Sequence, residues 1–172
     1  MGQVDAGLEG LEEDVPWDGG EPWLKPPTAA ELEAWRSWEL AVADVEEQLL
    51  ENDGKGAAAE PPAAKMRELA ERNGLTLERA LVIRERAWSV LSERDRLLQA
   101  RAVLAGLEQQ LSEESSSELR FRRREAAEDV RRFTRAAASR ESYGNAWVNA
   151  ILRKEQRLLE VYRAAAAKAG RR

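Results

Sequence analysis

Between Ala63 and Arg172 the chain contains no proline, and only Gly74, Gly106, Gly144 and Gly170 interrupt it. A stretch of this length rich in Ala, Leu, Glu and Arg favours consecutive helices, because these residues lose little side-chain freedom in a helix. Valine, isoleucine and threonine total 15 in the whole chain, too few to build a sheet. The six prolines stand at 16, 22, 26, 27, 61 and 62, and divide off the N-terminal region. The expected fold class is all-α. It is an antiparallel bundle of four principal helices plus one short helix, because connections of a few residues turn each helix back along its neighbour. An irregular, acidic, Pro/Gly-rich tail over residues 1–27 precedes it, disordered or docked on the surface. Residues 28–172 form a single domain.

Local signals place each helix. Thr28 and Glu31 form a capping box at the start of the first, in which each side chain satisfies the other residue's orphan N–H. Trp35, Trp38, Val42, Val45 and Leu49 follow at spacings of 3, 4, 3 and 4, a seam meant for another helix. A short second helix covers about 63 to 73 and stops at Asn73-Gly74. Thr76 caps the third, with Leu75 as an apolar staple. This helix carries one stripe through Leu77, Leu81, Trp88, Leu91 and Leu98. A second, through Leu97, Ala100, Leu104, Leu107 and Leu111, lies on nearly the opposite side. Either the helix is buried on two faces or it breaks near Gly106, and a single long helix is the expectation. Ser115 and Glu118 read as a capping box for the fourth helix, whose seam is Leu119, Ala126, Val130, Phe133 and Ala137. A fifth helix follows from Asn145 to about Ala169 through Val148, Ile151, Leu152, Leu158, Leu159 and Tyr162.

Charge divides the chain. Residues 1–60 hold 16 acids and 3 bases, a net of −13, and residues 61–172 hold 16 acids and 24 bases, a net of +8. The basic density peaks in the fourth helix at Arg120, Arg122, Arg123, Arg124, Arg131, Arg132, Arg135 and nearby Arg140. One reading is a phosphate-binding face for nucleic acid or an anionic membrane surface. The other is a solvated face laced by pairs such as Arg124–Glu128 and Glu128–Arg132, or a face answered by the acidic first helix. Interleaved Glu125, Glu128 and Asp129, with no nucleic-acid-binding motif beside them, favour the second.

The chain has neither cysteine nor histidine. Disulfides, thiolate and imidazole metal sites, Cys nucleophiles and His-based triads are thereby excluded. No Ser-x-x-Lys pairing activates a serine, no Gly-rich phosphate loop occurs, and adjacent acids such as Glu46-Glu47 diverge on a helix. The expectation is a protein without catalytic, cofactor-binding or metal-binding residues.

Four ions interrupt the apolar seams: Arg84, Asp95, Arg123 and Glu155. They are candidates for a buried polar cluster, either as register-setting pairs or as the lining of a small cavity. Of the six tryptophans, Trp35, Trp38 and Trp88 lie on seams, and Trp147 is ambiguous beside Gly144. Trp17 and Trp23, with Leu24, stand in the proline-rich tail. They are candidates either for packing on the bundle's own surface or for presentation to a partner.

Leu75-Thr76-Leu77-Glu78-Arg79 is similar to the Leu-Thr-x-x-Gln motif of the Spy/CpxP family of periplasmic, all-helical stress chaperones. The similarity covers five residues, Arg79 replaces the final Gln, and a second copy of the motif is missing.

The function expected is protein–protein contact, as a scaffold, adaptor or envelope-associated accessory protein. Trp17, Trp23, Leu24, Arg120, Arg122, Arg124, Arg131 and Arg132 are the candidate partner-binding residues. The alternative is a nucleic-acid-binding or regulatory helical protein using the Arg-rich fourth helix. No run approaches the ~20 apolar residues of a membrane span, and the N-terminus lacks the basic and apolar parts of a signal peptide. The chain as written is expected in the cytoplasm, or in the periplasm or on a lipoprotein anchor if a leader has been removed. Arginine exceeds lysine by 22 to 5, a skew common in GC-rich bacteria.

Overall fold

In a computed structural model of the chain, the described residues are 25–53, 62–138 and 145–169. They form six helices and no strand: α1 (Ala29–Asp53), α2 (Ala63–Arg72), α3 (Leu77–Glu113), α4 (Ser117–Ala138), α5 (Asn145–Leu152) and α6 (Glu155–Ala169). The protein is all-α over these residues. None of the helices is long and apolar enough to cross a membrane. Trp17, Trp23, Leu24 and Arg140 lie outside the described residues, as does nearly all of the acidic tail.

The sequence signals at the helix ends act as physical caps. The Thr28 N–H donates to Glu31 Oε2 at 2.8 Å and the Glu31 N–H donates to Thr28 Oγ1 at 3.1 Å. At the end of α2, Gly74 takes a φ of +76°. That left-handed turn lets the Leu75 N–H reach the Ala70 carbonyl and the Gly74 N–H reach that of Glu71, both at 3.0 Å. Thr76 Oγ1 accepts from the Arg79 N–H at 3.1 Å and Leu75 is buried beneath it. Cap and staple thus give Leu75-Thr76 a local structural role. Before α4 the cap is Ser116, one residue later than expected, accepting from the Leu119 N–H at 3.1 Å.

One core gathers residues from five of the six helices. Leu32, Trp35, Trp38 and Val42 of α1 meet Leu69 and Ala70 of α2 and Ala80, Ile83, Ala87 and Leu91 of α3. Trp147 and Ile151 of α5 and Leu158 and Leu159 of α6 complete it. Trp147, ambiguous in sequence, is a core residue, with the Arg86 guanidinium 4.4 Å from its ring centroid.

The helix directions follow from the ion pairs. Glu31 meets Arg79 and Glu39 meets Arg84, so α1 and α3 advance together, the intervening α2 having carried the chain back. Glu33 meets Arg157, and Asp44 and Glu47 meet Lys168, so α1 and α6 also run in the same sense. The antiparallel relation expected of every neighbour is formed by α3 and α4, where Arg123 faces back to Glu108. The expected fifth helix is two. The chain turns at Arg153-Lys154, where the Lys154 N–H donates to the Ile151 carbonyl in place of the usual i−4 partner. After the turn, Glu155 is clasped by Arg94 of α3, with a 3.1 Å hydrogen bond from Nη2 to Oε2.

α3 does not break at Gly106. Its 37 residues span ~56 Å at ~1.5 Å per residue, and its two apolar stripes serve two partners in succession. Up to Leu91 its buried residues belong to the core, whereas Leu97, Ala100 and Leu107 face α4.

Candidate interaction surface

α4 contributes nothing to the core, and α3 is its one substantial neighbour among the described helices. The distal part of α3 and all of α4 therefore make a two-helix hairpin with a single seam. Ala126 is buried in that seam, and Leu119, Val130 and Phe133 are half-buried. Two helices without a second layer cannot enclose side chains that flank their seam. The consequence is a groove along one side of the hairpin. Its floor is apolar, from Ala100, Val103, Leu107, Ala126 and Phe133, and its rim is charged, from Arg96, Arg122, Glu125 and Asp129. Small side chains at 100 and 126 create the depression, a hollow of about 360 Å³. Val103 is 57% exposed, and Phe121, one residue from Arg122 and one turn from Glu125, is 60% exposed. These are the two most exposed large apolar residues described.

The candidate arginines are where the sequence placed them. Arg120, Arg122, Arg124, Arg131 and Arg132 are all exposed on α4. Arg132 pairs with Asp129, its i,i+3 neighbour, at 3.0 Å, instead of with Glu128, the i,i+4 neighbour on the same side of the helix. Arg122, Arg124 and Arg131 make no ion pair among the described residues. Among the described side chains the acidic first helix does not answer them: its carboxylates there pair with α3 and α6, in Glu31–Arg79, Glu39–Arg84, Glu33–Arg157 and Glu47–Lys168.

The four seam ions do not come together. Arg84 joins Glu39, Asp95 accepts from Arg163 at 2.6 Å, and Glu155 joins Arg94. Arg123 lies on the seam side of α4 but is 49% exposed, paired with an equally exposed Glu108. It is not a buried ion, because no third helix among the described residues closes over this pair.

A buried carboxylate escaped the sequence reading. Glu39 is 0% exposed. Its Oε1 accepts from Trp88 Nε1 at 3.1 Å and lies 3.2 Å from Arg84 Nε. Oε2 has no hydrogen-bond partner among the described residues. The Arg84 guanidinium is 5.9 Å from the Trp38 ring centroid and 5.6 Å from that of Trp88, and Trp88 meets Tyr162 edge-on at 5.0 Å. Burial pushes the Glu39 carboxyl up to about 7; Arg84 and the Trp88 N–H pull it down, and Glu46 adds to the rise. Glu39 stands four residues after Trp35 and three before Val42, on the same helix face. That spacing was the available signal. At Glu31, burial is outweighed by Arg79 and by the Thr28 backbone, and the carboxyl is held below its ordinary value.

Glu39 and Arg84 tie α1 to α3 inside the body of the protein. The apolar-floored groove lies on the hairpin. Compared with protein-family models, curated proteins and solved structures, the chain matches none.

Proposed function

We propose that the chain is a non-enzymatic helical protein acting through protein–protein contact, as a scaffold, adaptor or accessory subunit, with the hairpin as its docking face. The observation that carries this reading is the apolar-floored groove, with exposed Val103 in its floor, exposed Phe121 next to its rim residue Arg122, and both charge signs on the rim. Such a layout suits a partner helix that inserts apolar side chains and places its own charges on the rim. The one strongly perturbed carboxyl among the described residues, Glu39, is enclosed and out of a substrate's reach, which accords with a binding role.

A photo-crosslinking residue replacing Phe121 in cells tests it. A discrete protein adduct that disappears when Val103→Glu charges the groove floor supports the reading. Adducts indifferent to Val103→Glu, or none, would contradict it.

One observation favours a second reading, nucleic-acid binding: Arg120, Arg122, Arg124, Arg131 and Arg132 are all exposed on one helix. Binding by these residues falls steeply with salt and is lost on charge reversal at Arg122, Arg124, Arg131 and Arg132. No retardation of duplex or single-stranded probes at low salt dismisses it.

A further inference from the structure

The groove has the length and chemistry to take a twelve-residue amphipathic helix, and the chain carries a sequence with that pattern. Val4, Leu8, Leu11 and Val15 recur at spacings of 4, 3 and 4, which places them on one helical face. Asp5, Glu9, Glu12 and Glu13 fall on the other side, and Pro16 stands where such a helix would have to stop. We infer that residues 4–15 dock as a third helix in the groove of their own α3–α4 hairpin, with Val4, Leu8, Leu11 and Val15 on its apolar floor.

Chain geometry supports this occupant. The N-terminal segment enters the described structure at Lys25, whose carbonyl accepts from Arg79 Nη1 at 2.9 Å beside the start of α3. From Arg79 to Arg96, the near end of the groove, is ~26 Å along α3 at ~1.5 Å per residue. Val15, ten residues before Lys25, reaches ~33 Å at ~3.3 Å per residue. A helix from Val4 to Val15 covers ~17 Å between its end anchors, and the groove from Arg96 to Leu107 is also ~17 Å long. Trp23 reaches only ~7 Å from Lys25 and Trp17 ~26 Å, so neither spans the groove floor.

Charge sets the direction. With Val15 nearest Lys25, Glu12, Glu13 and Asp14 lie toward Arg96, and Asp5 lies toward Arg122 at the far end. The rim between these arginines carries Glu125 and Asp129, and Asp129 is held by Arg132 at 3.0 Å. The part of the segment opposite runs from Gly7 to Gly10, with Glu9 its single acid. Gly7 and Gly10 make the segment a poor helix former by itself. Its helix would draw its stability from the groove, and a partner binding there would have to displace it. The inference rests on the hairpin being a docking face, but the two fail separately.

The chain has no cysteine, so Ala6→Cys, on the side away from the apolar stripe, accepts a single nitroxide on the full-length protein. The expected result is several-fold attenuation of the Ala100, Val103, Leu107 and Ala126 amide signals. It should persist on dilution and on mixing with excess unlabelled chain, and should vanish in Leu8→Asp/Leu11→Asp. Attenuation only between a labelled chain and a separate isotope-labelled copy would overturn it in favour of a second copy in the groove. Attenuation elsewhere, or none, would overturn it outright. If attenuation is absent while the Phe121 adduct remains sensitive to Val103→Glu, the cover fails and the docking face stands.

Discussion

The core and the hairpin share α3 yet are built on different terms. Around Trp35, Trp38, Ile83 and Leu91, five helices converge and the side chains are fully enclosed. Beyond Leu97, two helices share one seam, so Phe133 is half-buried and Val103 and Phe121 face solvent. The ion pairs divide likewise. In the core Arg84 reaches an enclosed Glu39, whereas on the hairpin Arg123 and Glu108 pair in solvent. A residue pattern alone does not determine burial. The number of layers around the helix does.

Trp35→Ala should separate the regions most sharply, costing ~3–5 kcal/mol of global stability because it empties a fully enclosed site. Phe133→Ala should cost about 1–2 kcal/mol, since a half-buried ring contributes a fraction of the full burial term. Chemical denaturation of both variants measures the contrast, and equal losses would break it.

The second contrast is in pH. Glu39 titrates near 7 in the folded protein and at about 4.3 in an unfolded chain. The folded state therefore holds the extra proton between these values. The stability associated with Glu39 is fully present below about 4.3 and declines as pH rises toward 7, a change on the order of 2–3 kcal/mol. Glu39→Gln should flatten that decline, as followed by melting temperature from pH 5 to 8. A decline that persists in the variant would remove Glu39 as its source. Glu31, held low by Arg79 and Thr28, contributes in the opposite sense, losing its stabilisation as the solution is acidified.

Smaller effects belong to the hairpin. Gly106 lies within α3 with open space where a Cβ would stand. Gly106→Ala should stabilise the hairpin by ~0.5–1 kcal/mol by restricting the unfolded chain and improving helix propensity. The gain should appear as slower amide exchange in α3 beyond Leu97. Arg123→Ala should cost ~0–1 kcal/mol, as an exposed pair does. A loss of several kcal/mol would mean that Arg123 is enclosed after all.

Much of this was legible because it is local. Thr28, Glu31, Thr76 and Gly74 set helix ends through bonds between near neighbours, and the two stripes of α3 forecast two partners. What stayed hidden depends on tertiary placement. Arg123 has the seam spacing of a buried ion, but only a third helix would bury it. The turn at Arg153-Lys154 leaves the apolar stripe in phase, so periodicity carries no mark of it. Glu39 is one of many acids in α1 and is distinguished only by sharing a face with Trp35 and Val42.

The central claim is that the hairpin opens more readily than the core, and native-state amide exchange on the full-length chain tests it most directly. Amides of Ala80 to Leu91 in α3 and Leu158 to Ala165 in α6 should exchange only through global unfolding. Those of Ala102 to Leu111 and Arg120 to Phe133 should exchange through a smaller opening, with weaker dependence on denaturant. Equal protection and equal denaturant dependence in both sets would show one cooperative body and contradict the account.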